Sequence, residues 1–299
     1  MTGSQGVGLN RAGRGVLSGI LNGIEEMTEQ YVSDGEYAGY FQRLSGLRHR
    51  IADQLPLASG MRVLDVATGS GYFALEVAER HRGTHIVGID VTAMGVAKAR
   101  ENARRRGLAD RVQFVQMDAS RMAFKPGSFD AAVNFLGLED IHMTRGRDGL
   151  KRTFLEVSRV VHPGGGFSFV AMPPEEMDTQ AQRLEVALYS YICDATWLSA
   201  DEYEQMLDKG KFLLVRKKEF FAGKKLTKEQ AREEIKFACE NVPQTYGVQT
   251  PSFENIWRKY GKGIEKHGLG HYSKVVLFYA RRVVAGHEPL LHLRAQSVS

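Results

Sequence analysis

Between residues 62 and 172, short apolar runs alternate with stretches of helical periodicity, and that alternation leaves few folds open. Residues 62–66, 85–90, 112–117, 131–135 and 166–172 read as strands. They are apolar almost throughout rather than at every second position, as strands covered on both faces are. Residues 72–82, 93–107 and 150–161 read as the helices between them. A β-α-β-α order of this kind implies a parallel sheet with right-handed crossovers. Two further strand candidates, 212–221 and 272–281, extend it to a doubly wound, mostly parallel α/β sheet of seven strands.

The flanking regions divide the chain further. Residues 1–15 are rich in Gly, Ser, Arg and Asn and are expected to form a loose tail, as is the polar stretch 286–299. Over 16–57, two helical stripes (Leu17, Ile20, Leu21, Ile24, Met27, then Phe41, Leu44, Leu47, Ile51, Leu55) predict an N-terminal helical cap. A core over 58–175 follows. Over 176–285, helical stripes at Leu184–Ile192, Ala231–Ala238 and Phe253–Ile264 are interleaved with the last two strands and predict a lid. Only two cysteines, Cys193 and Cys239, fall in 299 residues, which fits reduced, packed thiols in a cytoplasmic protein. The formal charge of +5 comes without a basic run long enough for a nucleic-acid arm, and no apolar stretch reaches membrane-spanning length.

The chemistry concentrates in Val63-Leu64-Asp65-Val66-Ala67-Thr68-Gly69-Ser70-Gly71-Tyr72, a buried strand running into a glycine turn and a helix. Gly69 and Gly71 permit a sharp turn and a close backbone approach to a ligand, and the helix start offers unpaired N–H groups. Such a turn also matches a dinucleotide fingerprint, since Ala74 can take the third glycine's place and Asp90 ends the next strand. Asp90 is neutral between ligands, because its carboxylate can accept ribose hydroxyls of either. Asp65 separates them. A carboxylate there repels a pyrophosphate, whereas S-adenosylmethionine brings an ammonium and a sulfonium.

With these features the sequence resembles the class I, Rossmann-like S-adenosylmethionine-dependent methyltransferases, in the small-molecule subgroup of ubiquinone and menaquinone biosynthesis. The resemblance covers roughly residues 40–175. Ile86-Val87-Gly88-Ile89-Asp90 matches the family's ribose-binding acid and Gln116-Met117-Asp118-Ala119 its adenine-reading acid. Phe129-Asp130-Ala131-Ala132-Val133-Asn134 matches the strand leading to the substrate side, and His162-Pro163-Gly164-Gly165-Gly166 the turn before strand five. The resemblance implies S-adenosylmethionine as cofactor, held by Asp65, Ala67, Gly69, Ser70, Gly71, Asp90, Val91, Asp118, Ala119 and Asn134. It implies methyl transfer by in-line displacement to a small acceptor, with alignment in a dry cleft as the main contribution.

On the acceptor side, Asn134-Phe135-Leu136-Gly137-Leu138-Glu139-Asp140-Ile141-His142 follows strand four. It lacks the Asn/Asp-Pro-Pro-aromatic signature of the nucleic-acid amino-methylating enzymes, which argues against a DNA partner. Glu139, Asp140 and His142 are the acid–base candidates, His142 by its ordinary titration range. Related enzymes close an N-terminal tyrosine over the cofactor, a role open to Tyr37 or Tyr40. Leu136, Tyr191, Tyr246 and Trp257 are candidates to face an apolar or aromatic acceptor. No resident metal is expected, although Asp118, Asp140 and His142 could be imagined as a triad. An RNA or protein methyltransferase, and a non-catalytic cofactor-binding partner protein, are the competing readings; a homodimer is compatible with the sequence.

Overall fold

A computed structural model describes residues 29–38 and 44–284 of the chain. The expected tails over 1–15 and 286–299, the stripe over 17–27, Tyr40 and Phe41 lie outside the described residues.

The sheet is built from β2 (Arg62–Val66), β3 (His85–Asp90), β4 (Val112–Gln116), β5 (Phe129–Phe135), β6 (Val161–Ala171), β7 (Phe212–Phe221) and β10 (Lys274–Arg282). Their spatial order is β4-β3-β2-β5-β6-β10-β7. Every neighbouring pair from β4 to β6 is parallel, and β10 runs antiparallel to both β6 and β7. The order reverses between β2 and β5, so their carboxyl ends flank a crevice, the usual place for a ligand in an open α/β sheet.

The strands alternate their side chains between two helical layers. Leu64, Val66, Phe167, Phe169 and Phe278 pack with Leu138, Phe154 and Tyr203 on one face. Val63, Ile86, Val133 and Val275 pack with Phe73, Leu75, Val77 and Ala99 on the other. The first layer is α5 (Leu138–Val160) and α7 (Ala200–Lys209); the second is α2 (Ser45–Ala52), α3 (Tyr72–Arg80) and α4 (Ala93–Arg105). Phe154 is fully buried against Phe167 and Phe169, so trimming it to alanine would cost about 3–5 kcal/mol.

A third cluster joins α6 (Gln180–Ile192), α8 (Lys228–Tyr246) and α9 (Phe253–His267) around Leu188, Ile235, Ile256 and Ile264. Beside it lie β1 (Gln30–Tyr31), β8 (Lys224–Leu226) and β9 (Leu269–Gly270), a small sheet that the periodicity does not foretell. A short helix α1 (Asp34–Ala38) follows β1.

Two boundaries differ from the sequence reading for identifiable reasons. Ahead of the helix expected over 150–161 lies a further helical segment starting at Leu138, and the non-helical Gly146 (φ 67°, ψ 179°) kinks the chain between the two. It then passes directly into β6, which starts at Val161 rather than 166, since the Pro163-Gly164-Gly165 turn is carried within the extended run. Helix α7 was not foreseen, yet its signal is present: Ser199 accepts from the Glu202 N–H and Glu202 caps back onto Ser199.

Candidate active site

At the end of β2 the chain turns through Ala67-Thr68-Gly69-Ser70-Gly71 into α3, with Ala67 and Gly69 at φ 53° and Gly71 at φ 78°. The two glycines serve different ends. A Cβ on Gly69 would meet nothing within 4 Å, so its face is open to the crevice. A Cβ on Gly71 would stand 2.6 Å from Phe114 Cζ and 2.9 Å from Ala99 Cβ. Gly71 is therefore required for packing of the turn against α4 and β4. Beneath the turn, Asp65 is 1% exposed; the Thr68 hydroxyl donates to its Oδ2 at 2.5 Å and the Ala74 N–H also donates to the carboxylate. Burial pushes the Asp65 carboxyl up to about 7, and the charge of Asp90 adds to the effect.

Asp90, at the end of β3, pins that turn: Gly69 N–H donates to Oδ2 at 2.8 Å, and Thr92 donates to Oδ1 from both its N–H (2.9 Å) and its hydroxyl (2.6 Å). Next to it, Val91 and Met94 are exposed apolar side chains on the crevice rim. One strand further, Asp118 accepts from Ser120 N–H and Oγ and from Arg145 Nε at 2.7 Å. Partial burial opposes ionisation of Asp118, but Arg145 and Ser120 outweigh it and hold the carboxyl below its usual range. Ala119 packs its side chain into the core, and the Ser70 carbonyl accepts from Asn102.

Across the crevice, β5 ends in another left-handed residue, Leu136 (φ 53°). Asn134 is buried and ties the two strand ends together: its amide donates to Val66 O at 2.7 Å and its carbonyl accepts from Gly137 N. A Cβ on Gly137 would lie 2.9 Å from Ala67 Cβ, so this glycine is set by close packing. The first turn of α5 then presents the acids. Glu139 Oε1 accepts from the Tyr203 hydroxyl at 3.1 Å, while Oε2 is buried without a partner among the described residues. Burial raises Glu139 to about 6. Asp140 Oδ2 accepts from the Tyr246 hydroxyl at 3.3 Å; burial, then the charge of Glu139, raises Asp140 to about 7. Cys193 also lies here, its thiol pushed up to about 12 by burial and then by Asp140.

His142 does not join this group. Its ring donates to the Thr196 carbonyl beside Arg147 and Glu202, which are paired at 2.5 Å. Burial and the Arg147 charge lower its pKa. The imagined triad of Asp118, Asp140 and His142 is likewise not assembled, each residue being engaged with a different partner. Among the described residues no three His, Cys, Asp or Glu side chains converge on a metal-sized site.

Of the aromatic candidates among the described residues, Tyr246 reaches the acids. Tyr37 donates to the Gln230 carbonyl and to Glu234 at 3.3 Å each, on the α8 side. Tyr191 lies tilted beside Tyr260 under Lys259, and Trp257 stacks on Phe253 under Arg232. All three belong to the third cluster, where helical periodicity alone cannot separate a packed aromatic from one facing the crevice. Sequence reasoning also passed over Thr68, Thr92, Arg145 and Tyr203. Thr68 and Thr92 carried a local signal, a hydroxyl three or two residues after an acid. Arg145 and Tyr203 arrive by tertiary packing. Cavities of about 410 Å³ by Arg82 and Arg111 and about 200 Å³ by His162 and Tyr279 open at the opposite, amino ends of the parallel strands.

Comparison with known proteins agrees with this geometry. Residues 63–165 match the family model described as a methyltransferase domain. The chain is 34% identical over 128 residues to a sterol 24-C-methyltransferase of Gibberella zeae, an overlap covering 43% of this chain and 32% of the relative. It is 29% identical over 178 residues to the 27-O-demethylrifamycin SV methyltransferase of Amycolatopsis mediterranei, covering 58% of this chain and 62% of that one. The chain thus spans less than two thirds of either relative. Among solved structures, that of the cyclase SpnF shares the fold at TM-score 0.58 and 23% identity, covering 90% of this chain and 92% of the other. With the seven-stranded order, the glycine turn at the switch point and the acids on successive strands, residues 63–165 form a methyltransferase domain on a Rossmann-like α/β sheet.

Proposed function

We propose that the protein transfers a methyl group from S-adenosylmethionine to a small acceptor in the crevice above β2, β3 and β5. The open face over Gly69, beside the carboxylate of Asp90, carries this reading. Three of the about four acceptor sites of Asp90 are taken by Gly69 and Thr92, and the one left on Oδ2 can accept a ribose hydroxyl. Asp118 would read the adenine amino group, sharing its carboxylate with Arg145, while Val91 and Met94 offer an apolar rim. The backbone of Ala67 through Gly71 borders the amino-acid end, and buried Asp65 holds the turn while adding negative potential beneath a cation. When bound, S-adenosylmethionine supplies a methyl carbon made electrophilic by its sulfonium sulfur.

The chain's own contribution is alignment and exclusion of water. We assign the residues over 58–175 to cofactor binding, those over 16–57 to a cap, and the helices among 176–285 to a lid. The relatives named for a sterol and a demethylated rifamycin support a small, largely apolar acceptor. The free thiols of Cys193 and Cys239 fit a reducing, cytoplasmic setting, and no described helix is long and apolar enough to cross a membrane. We read no nucleic-acid partner. The likeness to a cyclase is a reminder that fold does not fix reaction. Titration calorimetry with S-adenosylhomocysteine, with NAD as control, tests the reading: saturable binding of the former alone is expected, and binding of NAD alone overturns it. A labelled-methyl assay then separates an enzyme from a non-catalytic binder.

A further inference from the structure

Resting on that reading, we propose that the acceptor is an uncharged molecule whose hydroxyl is presented to Asp140, and that Asp140 takes the hydroxyl proton. The first observation is the Tyr246 hydroxyl, delivered by the last turn of α8 to 3.3 Å from Asp140 Oδ2. The carboxylate therefore already faces a neutral hydroxyl donor arriving from the lid side. The second is charge. The groups facing Asp140 are Glu139 on its own helix, Asp90 from β3, Tyr246 from α8 and Cys193 beyond α6, with Tyr272 acting on Tyr246 in turn. Both charged neighbours are acids. A carboxylate or phosphate on the acceptor would meet three carboxylates, whereas a neutral hydroxyl finds an acceptor of its proton. The third is that His142, the alternative base, is turned to the Thr196 carbonyl.

In the step, the acceptor oxygen bonds to the methyl carbon as the methyl–sulfur bond breaks. The bonding pair stays on sulfur, and the hydroxyl proton passes to Asp140. Burial, with Glu139 second, raises Asp140 to about 7, a range suited to proton uptake near neutrality. Tyr246 is a positioning residue, donating to the ionised carboxylate.

The test begins with binding. Calorimetry on the protein saturated with S-adenosylhomocysteine compares 2-naphthol with 2-naphthoate and 2-naphthyl phosphate. Wild type should bind the naphthol at least about tenfold tighter than either anion, and Asp140→Asn should remove most of that preference while binding S-adenosylhomocysteine as before. With labelled methyl donor and a panel of phenols, alcohols, amines and their anionic analogues, transfer should be confined to neutral hydroxyl compounds. Asp140→Asn should lower kcat by about 100-fold or more with a smaller change in KM. Tyr246→Phe should move the rising limb of kcat to higher pH, because it removes a bond favouring charged Asp140; a merely structural role would leave that limb in place. Equal binding of the anions, an unchanged preference in Asp140→Asn, failure of the naphthol to bind, or transfer only to nitrogen, carbon or anionic members overturns the inference while leaving the cofactor reading intact. Failure of S-adenosylhomocysteine to bind overturns both.

Discussion

The N–H of Gly69 donates to Asp90 Oδ2 across 2.8 Å, so the turn after β2 is fastened to the end of β3. One carboxylate thereby shapes the turn and keeps one acceptor site on Oδ2 for a ligand. Asp90→Asn keeps one acceptor oxygen, removes the charge and sets its NH2 against the N–H of either Gly69 or Thr92. Loss of a charge-assisted hydrogen bond should weaken S-adenosylhomocysteine binding by about 1.5–3 kcal/mol, with a smaller loss of thermal stability than in Asp90→Ala. Asp90→Ala should lower both, since Gly69 and Thr92 lose their partner as well. Calorimetry and thermal melts of the two variants check this; equal affinity of wild type and Asp90→Asn would remove Asp90 from the cofactor site.

The glycines of the turn should part company on mutation. Gly69→Ala meets no atom but must hold φ 53°, costing about 1 kcal/mol of stability, and its methyl enters the space assigned to the cofactor. Gly71→Ala collides with Phe114 and Ala99 and should destabilise the fold by several times as much. Urea denaturation of the apo proteins, beside titration with S-adenosylhomocysteine, would show Gly69→Ala losing affinity more than stability and Gly71→Ala the reverse.

The sheet was legible because its strands are buried on both faces and its turns carry glycine; both are local properties of the chain. The acids on β2, β3 and after β4 were legible for the same reason, each falling at a strand end. What local pattern could not express is which partner a side chain meets across the fold. Asp65 reads as a ligand-facing charge, yet Thr68 in the turn and Ala74 in the first turn of α3 claim it. Tyr37, Tyr191, Tyr246 and Trp257 look alike in sequence, but only Tyr246 lies at a helix end that reaches α5. His142, two residues beyond Asp140, is carried by the helical rotation toward Thr196 instead.

A buried ion pair supports the face behind the turn. Arg48 donates to both oxygens of Glu76, from Nε at 2.7 Å and from Nη2 at 3.0 Å, with exposures of 4% and 0%. Removing one partner strands the other charge in the core, so Arg48→Ala or Glu76→Ala should cost about 3–5 kcal/mol. The paired replacement Arg48→Met with Glu76→Leu should recover most of that loss. A double-mutant cycle by urea denaturation measures the coupling; additive costs would mean that the pair is screened rather than sealed.

Stability should also fall toward alkaline pH, and Glu185 is the leading cause. It is 2% exposed, accepts the Tyr272 N–H at 2.7 Å through Oε1, and keeps Oε2 buried with no partner among the described residues. Burial first, then the charges of Glu29 and Glu234, raise its carboxyl from 4.5 to about 8. The folded state therefore holds the proton more tightly than the unfolded chain. The stability contributed in this way is fully present below about pH 4.5 and is lost as pH rises through about 8. Asp65 and Asp140 at about 7 and Glu139 at about 6 act in the same direction, so some slope should survive when Glu185 is neutralised. Glu185→Gln keeps the acceptor for Tyr272 and cannot ionise. Between about pH 6 and 9 its unfolding free energy should decline less steeply than that of wild type, with a relative gain on the order of 1–3 kcal/mol at the alkaline end. Parallel curves for the two proteins would show that Glu185 titrates alike folded and unfolded, and would shift the alkaline loss onto the acids of the crevice.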